Sequence, residues 1–146
     1  MAVLLGLNMK LYRNSGSFAT PTWNEVGNVT DLTFNLDLER ADVTTRSNNG
    51  WRAQVGTLND GSIEFDMFDD DADTELAAIE TAFINRTPTE FAVLNGDVAT
   101  SGTKGWRLTC AVLSFTRNEP LTEAVSFSVT LAPTLSANAP QQMTIP

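Results

Sequence analysis

VTDLTFNLDL, at Val29–Leu38, decides the fold together with SIEFDMF at Ser62–Phe68. In both segments polar and apolar residues alternate one by one, which is the period of a β-strand with one wet face and one buried face. The wet faces are rich in carboxylates, namely Asp31, Asp37, Glu64 and Asp66. The sequence therefore predicts two long strands that share an acidic face.

The segment between these strands, Arg40–Gly61, does not alternate and is predicted to form a long loop. Loops longer than about 12–15 residues are uncommon in compact domains unless they bind a partner, act as lids or are disordered. This one places apolar residues among arginines and amides, a composition typical of protein interfaces. The residues expected to contact a partner are Arg40, Asp42, Arg46, Trp51, Arg52 and Leu58.

The remaining sequence predicts further strands and one helix at about residues 70–84. Leu76, Ile79 and Phe83 recur at helical spacing, acidic residues crowd the start, and Pro88 prevents continuation. The segment 132–146 is predicted to form a C-terminal arm or a terminal strand. No domain boundary is visible, so residues 1–146 are predicted to form one mainly β domain, a β-sandwich or partial barrel with one flanking α-helix.

Charge and composition argue against tight nucleic-acid binding and against enzymatic activity. The chain has 9 basic and 18 acidic residues and a net charge of −9, so tight binding to a phosphate backbone is not expected. It has no histidine, which removes the commonest general base and metal ligand, and no pair of carboxylates stands out for catalysis. An enzyme is therefore not expected. Cys110 lies in an apolar run and is predicted to be a small buried residue.

A calcium site is one alternative. Five acidic residues match the ligand spacing of an EF-hand loop, namely Asp69, Asp71, Asp73, Glu75 and Glu80. However, Thr74 stands where that loop requires glycine, and the preceding residues alternate like a strand. The start of a helix explains the same carboxylates without a metal, and no metal site is expected.

A sugar-binding module is a second alternative, because exposed tryptophans can form a platform for carbohydrate. Trp51 lies in the predicted loop and Trp106 begins a predicted strand. Tryptophan is, however, more commonly buried in a core or at a protein contact.

The segment Leu32–Asp66 resembles the tail tube (major tail) proteins of long-tailed bacteriophages, which are akin to the tube protein of type VI secretion systems. In it ERADVTTR, at Glu39–Arg46, leads to Asn49-Gly50-Trp51-Arg52. This is similar to that family's acidic-Val-Thr entry into a long loop, followed by a glycine and basic residues. The predicted helix and the predicted strands at 105–131 follow in the family's order.

The resemblance implies a subunit of hexameric rings that stack into a hollow virion tail, assembled in the host cytoplasm, through which double-stranded DNA passes without specific binding. It places Asp31, Asp37, Glu64 and Asp66 on the lumen and sends the loop to the neighbouring ring. It also implies tape-measure, tail terminator and baseplate proteins as partners, with no cofactor and no membrane. A secretion-tube or tail-completion ring protein is the main alternative.

Overall fold

The computed structural model describes residues 3–146. Within this range the chain forms eight β-strands and one α-helix. The helix, α1, lies between the fourth and fifth strands. The elements are β1 (Lys10–Asn14), β2 (Trp23–Glu25), β3 (Val29–Asp42), β4 (Gln54–Phe68), α1 (Thr74–Asn85), β5 (Thr89–Leu94), β6 (Lys104–Asn118), β7 (Ser126–Pro133) and β8 (Gln141–Thr144).

The strands form one antiparallel sheet in the order β2-β1-β5-β6-β7-β4-β3, and β8 pairs with the first residues of β6. Leu11 of β1 and Phe91 of β5 share a core with Phe65 of β4 and Val129 of β7. Leu76 and Ile79 of α1 belong to the same core, so the helix covers the face of the sheet on which these side chains lie. Across the described residues the sheet does not close into a barrel. The predicted mainly β fold with one flanking helix is confirmed.

Helix α1 packs on the core-facing side of this sheet. Asp73 is its N-cap, because its side chain accepts a hydrogen bond from the backbone N–H of Glu75, and Leu76, Ile79 and Ala82 are buried. The helix begins a few residues later than the predicted start at about residue 70, since the first acidic residues form the turn that precedes the cap. Glu75 also pairs with Arg13, which ties the helix to β1.

The predicted loop Arg40–Gly61 is wrong in its bounds. Strand pairing continues to Asp42 and Gln54, so only residues 43–53 connect the two strands. We call residues 36–61 the hairpin arm and residues 43–53 its tip. The pairing of β4 with β7 begins at Ile63, so the arm projects beyond the rest of the sheet. Residues 40–61 of the arm do not alternate because neither face is buried there, whereas backbone pairing needs no particular side chains.

The predicted free C-terminal arm at 132–146 is also corrected. β7 extends to Pro133, and Gln141–Thr144 forms β8 on the edge that β6 offers at Lys104–Arg107. The terminus is therefore part of the sheet, in agreement with the alternative of a terminal strand.

Candidate assembly surfaces

The predicted acidic face exists on β3 and β4. Thr33 lies opposite Glu64, Asn35 opposite Ser62, and Asp37 opposite Asp60. Directly opposed residues of antiparallel strands point to the same side of the sheet. The apolar partners Ile63, Phe65 and Met67 point into the core.

The face continues over two more strands. Glu64 lies opposite Thr130 of β7, and Thr130 lies opposite Ser114 of β6. We call this four-strand surface the acidic face. Its members are Asp31, Thr33, Asn35 and Asp37 of β3; Asp60, Ser62, Glu64 and Asp66 of β4; Ser126, Ser128 and Thr130 of β7; and Ser114, Thr116 and Asn118 of β6. All of its charged members are carboxylates.

The predicted residues divide into two places on this face. Asp31, Glu64 and Asp66 line one shallow depression of about 220 Å³, where Ser128 donates a hydrogen bond of 2.8 Å to Asp66. Asp37 lies at the base of the arm, opposite Asp60. Asp60 was not predicted to belong to this face because it falls within the predicted loop. The polar residues of β7 were not predicted to join it either, although their alternation was a usable signal.

The four-strand surface has two free edges. β3 pairs only with β4, so its outer edge is open from Val29 to Asp42. β5 covers β6 as far as Cys110, so residues 111–118 of β6 are open on that side. Successive strands are antiparallel, so β3 and β6 run in opposite directions. The edge of β6 carries a register shift at Leu113, whose side chain is exposed.

The tip of the arm is held by local hydrogen bonds. The carboxylate of Asp42 accepts hydrogen bonds from the side chain and from the backbone N–H of Thr44, and these lower the pKa of Asp42 below its ordinary value of 3.8. Arg52 lies 3.6 Å from the same carboxylate. Asn49 and Gly50 take the left-handed conformations that close the turn, with φ of 53° and 83°.

The predicted partner-facing residues are all on the arm and exposed. Arg46, Trp51 and Arg52 lie in the tip, whereas Arg40, Asp42 and Leu58 lie in its strands. Trp51 is 78% exposed. Trp51 belongs to no core cluster of the described residues. Its aromatic side chain is therefore available for contact with a partner protein.

The acidic residues whose spacing matches an EF-hand loop do not come together as a calcium site in the structure. Asp73 caps α1, Glu75 pairs with Arg13, and Asp69 lies 3.5 Å from Arg117. Residues 3–146 contain no group of three acidic or cysteine side chains placed to hold a metal ion.

The tryptophans of the sugar-binding alternative lie apart. Trp106 packs against Phe34 with ring centroids 6.1 Å apart, and Trp23 packs near Tyr12, while Trp51 stands at the tip. Cys110 is buried as predicted, and burial raises the pKa of its thiol to about 12. No helix in residues 3–146 is long and apolar enough to span a bilayer.

Comparison with known proteins supports the fold through structure alone. No family model matches the chain, and no curated protein matches its sequence. A chain in the tail of an empty gene transfer agent particle, refined with C6 symmetry, matches with a TM-score of 0.76 and 19% identity over 97% of this chain and 100% of that one. The SPP1 tail tube matches with a TM-score of 0.69 and 16% identity, covering 89% of this chain and 75% of that one.

A contractile injection system also has this fold. A chain of the PVC sheath–tube complex in its extended state has a TM-score of 0.67 and 10% identity, over 98% of this chain and 93% of that one. The chain thus has the fold of tail tube subunits, and the resemblance predicted from its sequence is confirmed at the level of the fold.

Proposed function

We propose that this chain is the tube-forming structural subunit of a virion tail. Copies join edge to edge into hexameric rings, the rings stack, and double-stranded DNA passes through the channel without specific binding. The observation that carries the proposal is the acidic face, a polar four-strand surface bounded by two open edges that run in opposite directions.

Open edges explain how a ring would form. Long unpaired edges invite pairing with another chain, and natural proteins cover or block them. When β6 of a second copy lies beside β3 of the first, the two strands are antiparallel and continue the alternation already present in the sheet. This contact joins two different surfaces of the chain, so it closes into a ring when the rotation between copies divides a full turn.

Six copies would enclose a channel wide enough to be filled with water. The C6 symmetry of the gene transfer agent tail supports that number. Four strands from each copy give about 24 strands, and a spacing of about 4.8 Å gives a barrel of roughly 37 Å across before strand tilt widens it. Barrels of about 16–18 strands already enclose an aqueous channel. The acidic face would line this channel.

The charge of the face fits passage without binding. Asp37 opposite Asp60 places like charges in direct opposition, which costs stability in the free subunit. Within about 8 Å of such a wall, the Debye length at physiological salt, phosphate groups are repelled. The role is structural and non-enzymatic, in the tail of the virion after assembly in the host cytoplasm. Tape-measure, terminator and baseplate proteins are the further partners.

A secretion-tube or completion-ring protein is the second candidate, and the match to a contractile injection system supports it. Electron microscopy of the concentrated protein separates the possibilities. We expect long tubes with sixfold end views. Isolated rings would favour the second candidate, and monomers alone at high concentration would contradict both.

The edge-pairing step has its own test. Leu113→Lys places a charge on the open edge of β6. Natural proteins often carry lysine on edge strands, where it hinders strand pairing with another chain. We expect this variant to remain a folded monomer in sedimentation experiments. The control, Leu135→Lys, alters an even more exposed leucine between β7 and β8 and should assemble like the unmodified protein. Normal rings from Leu113→Lys would contradict this mode of assembly.

A further inference from the structure

The tip is a basic element in an acidic molecule. Residues 43–53 contain Arg46 and Arg52 and no carboxylate, whereas the whole chain has a net charge of −9. Trp51, the neighbour of Arg52 in the sequence, is an exposed aromatic side chain. A tip that presents an exposed aromatic side chain together with arginines has the composition of an interface anchor.

The opposite end of the same two strands carries a surface of complementary character. A depression of about 580 Å³ is lined by Asn28, Phe68, Val125 and the carboxylate-bearing residues 69–71. Its apolar lining residues are Phe68, which is 47% exposed, and Val125. Backbone hydrogen bonds of 3.1 Å from Phe68 to Asn28 and 2.9 Å from Asp69 to Val125 hold the walls together. We call this depression the basal depression.

Its carboxylates differ in availability. Asp69 is already paired with Arg117, whereas Asp70 and Asp71 are exposed. No lysine or arginine occurs between Arg52 and Arg86 in the sequence, so this stretch brings no basic side chain of its own. The depression therefore combines two apolar side chains, Phe68 and Val125, with two exposed carboxylates, Asp70 and Asp71.

The two surfaces face opposite directions. β4 runs from the tip, at Gln54, to the basal depression, at Phe68. At about 3.3 Å for each residue the strand spans roughly 46 Å. Copies stacked along the strand direction would therefore bring the tip of one copy to the basal depression of the next. The other two depressions do not fit this contact, since one lies on the acidic face and the other, beside α1, is lined by alanines and threonines.

We infer that the basal depression is the receptor for the hairpin tip of a second copy in the adjacent ring. In this contact Trp51 packs on Phe68 and Val125, and the tip arginines pair with Asp70 and Asp71. The inference rests on the proposed function, whose stacked rings it supplies with a specific contact. Because the contact joins two different surfaces without closing, it repeats without limit along the tube.

A charge exchange tests the pairing. The tip variant Arg46→Glu with Arg52→Glu should raise the protein concentration needed for tubes by at least about tenfold, because like charges then face each other. Rings should remain. Adding Asp70→Arg with Asp71→Arg to the same chain should restore tubes, since the charges again complement one another. Lys104→Glu, combined with Arg86→Glu, gives a control with the same change of charge at exposed positions away from both surfaces.

A covalent link provides the second readout. Ser47→Cys and Asp71→Cys in one chain should give ladders of linked copies on non-reducing gels after mild oxidation with diamide. Ser47→Cys with Leu135→Cys should not. Cys110 can stay in place, since it is buried.

The outcomes separate this inference from the proposed function. If the unmodified protein forms tubes but the exchanged charges do not restore them and no ladder appears, the receptor assignment is wrong and the tube function stands. If the unmodified protein never forms rings or tubes, the proposed function itself is wrong. Restored tubes together with a ladder support both.

Discussion

At the scale of single residues, one buried ion pair holds the side of the sheet that carries no acidic face. Arg107 of β6 pairs with Glu90 of β5, and both side chains are largely buried. The guanidinium also lies 3.8 Å from the ring centre of Phe18 and donates a 2.9 Å hydrogen bond to its carbonyl. Asn14 donates to the same carboxylate. Arg107 thus fastens the segment before β2 onto the sheet.

Removing one partner of this ion pair should lower the free energy of unfolding. Arg107→Met leaves the Glu90 carboxylate buried without its cation, and such changes cost about 3–5 kcal/mol. Urea denaturation of the monomer should show that loss of unfolding free energy. Glu90→Met combined with Arg107→Met should recover a substantial part of it, because no buried charge remains. An unchanged denaturation midpoint in Arg107→Met would show that the pair is not structurally important.

At the scale of elements, the hairpin arm is the part of the sheet that the core does not support. Leu36 and Leu38 lie over Gly61 and Gly56, where an added Cβ would meet their side chains at 3.1 Å and 2.7 Å. Both leucines remain about half exposed. The arm is therefore held by its own strand pairing, and its outer part contributes little to the stability of the domain.

Shortening the arm should separate folding from stacking. Replacing residues 43–53 by Asn-Gly, the preferred two-residue hairpin turn, removes the tip and no buried side chain. We expect the unfolding free energy to change by less than about 1 kcal/mol, since surface changes away from special features have small effects. Electron microscopy should show rings without tubes.

A matched variant distinguishes the sequence of the tip from its length. An eleven-residue glycine–serine segment (positions 43 to 53) in place of the tip keeps the reach of the arm but removes Trp51 and the arginines. It should also fail to stack. Tubes formed by either variant would show that the tip is not needed between rings.

At the scale of the whole molecule, the uneven distribution of charge is the main feature. Every charged member of the acidic face is a carboxylate, while the tip has only arginines. In a closed ring the acidic face would line the channel, and the tip would face the next ring. One chain would thereby repel what passes through it and attract its own copies.

Reversing the charge of the channel should affect transport more than assembly. Asp37→Lys with Glu64→Lys places cations on the acidic face, so DNA phosphates would be attracted. We expect tubes to form and genome delivery, measured as the rate of DNA release and as infectivity, to slow. Glu80→Lys with Glu123→Lys makes the same change of charge at exposed positions elsewhere and should have no such effect. Normal delivery by the first variant would refute a repelling role for the acidic face.

Much of this organisation was accessible from local sequence patterns. Alternation around Phe34 and Phe65 identified the central strands and their wet side because one face of each is buried, and burial imposes a period of two. The position of Asp73 before Leu76 and Ile79 identified the helix and its start to within a few residues. The same approach failed at Arg40–Gly61, where strands continue without burial and therefore without a pattern.

The sequence by itself determined which residues alternate, where the helix lies, and that carboxylates share one side of two strands, since these properties depend on neighbours only a few positions away. Tertiary structure alone decided that β7 and β6 extend the acidic face, that β3 and residues 111–118 of β6 are open edges, and that the tip and the basal depression lie at opposite ends. Each of these depends on pairing between distant segments, whose partners are selected by the core that they bury together and not by any local pattern.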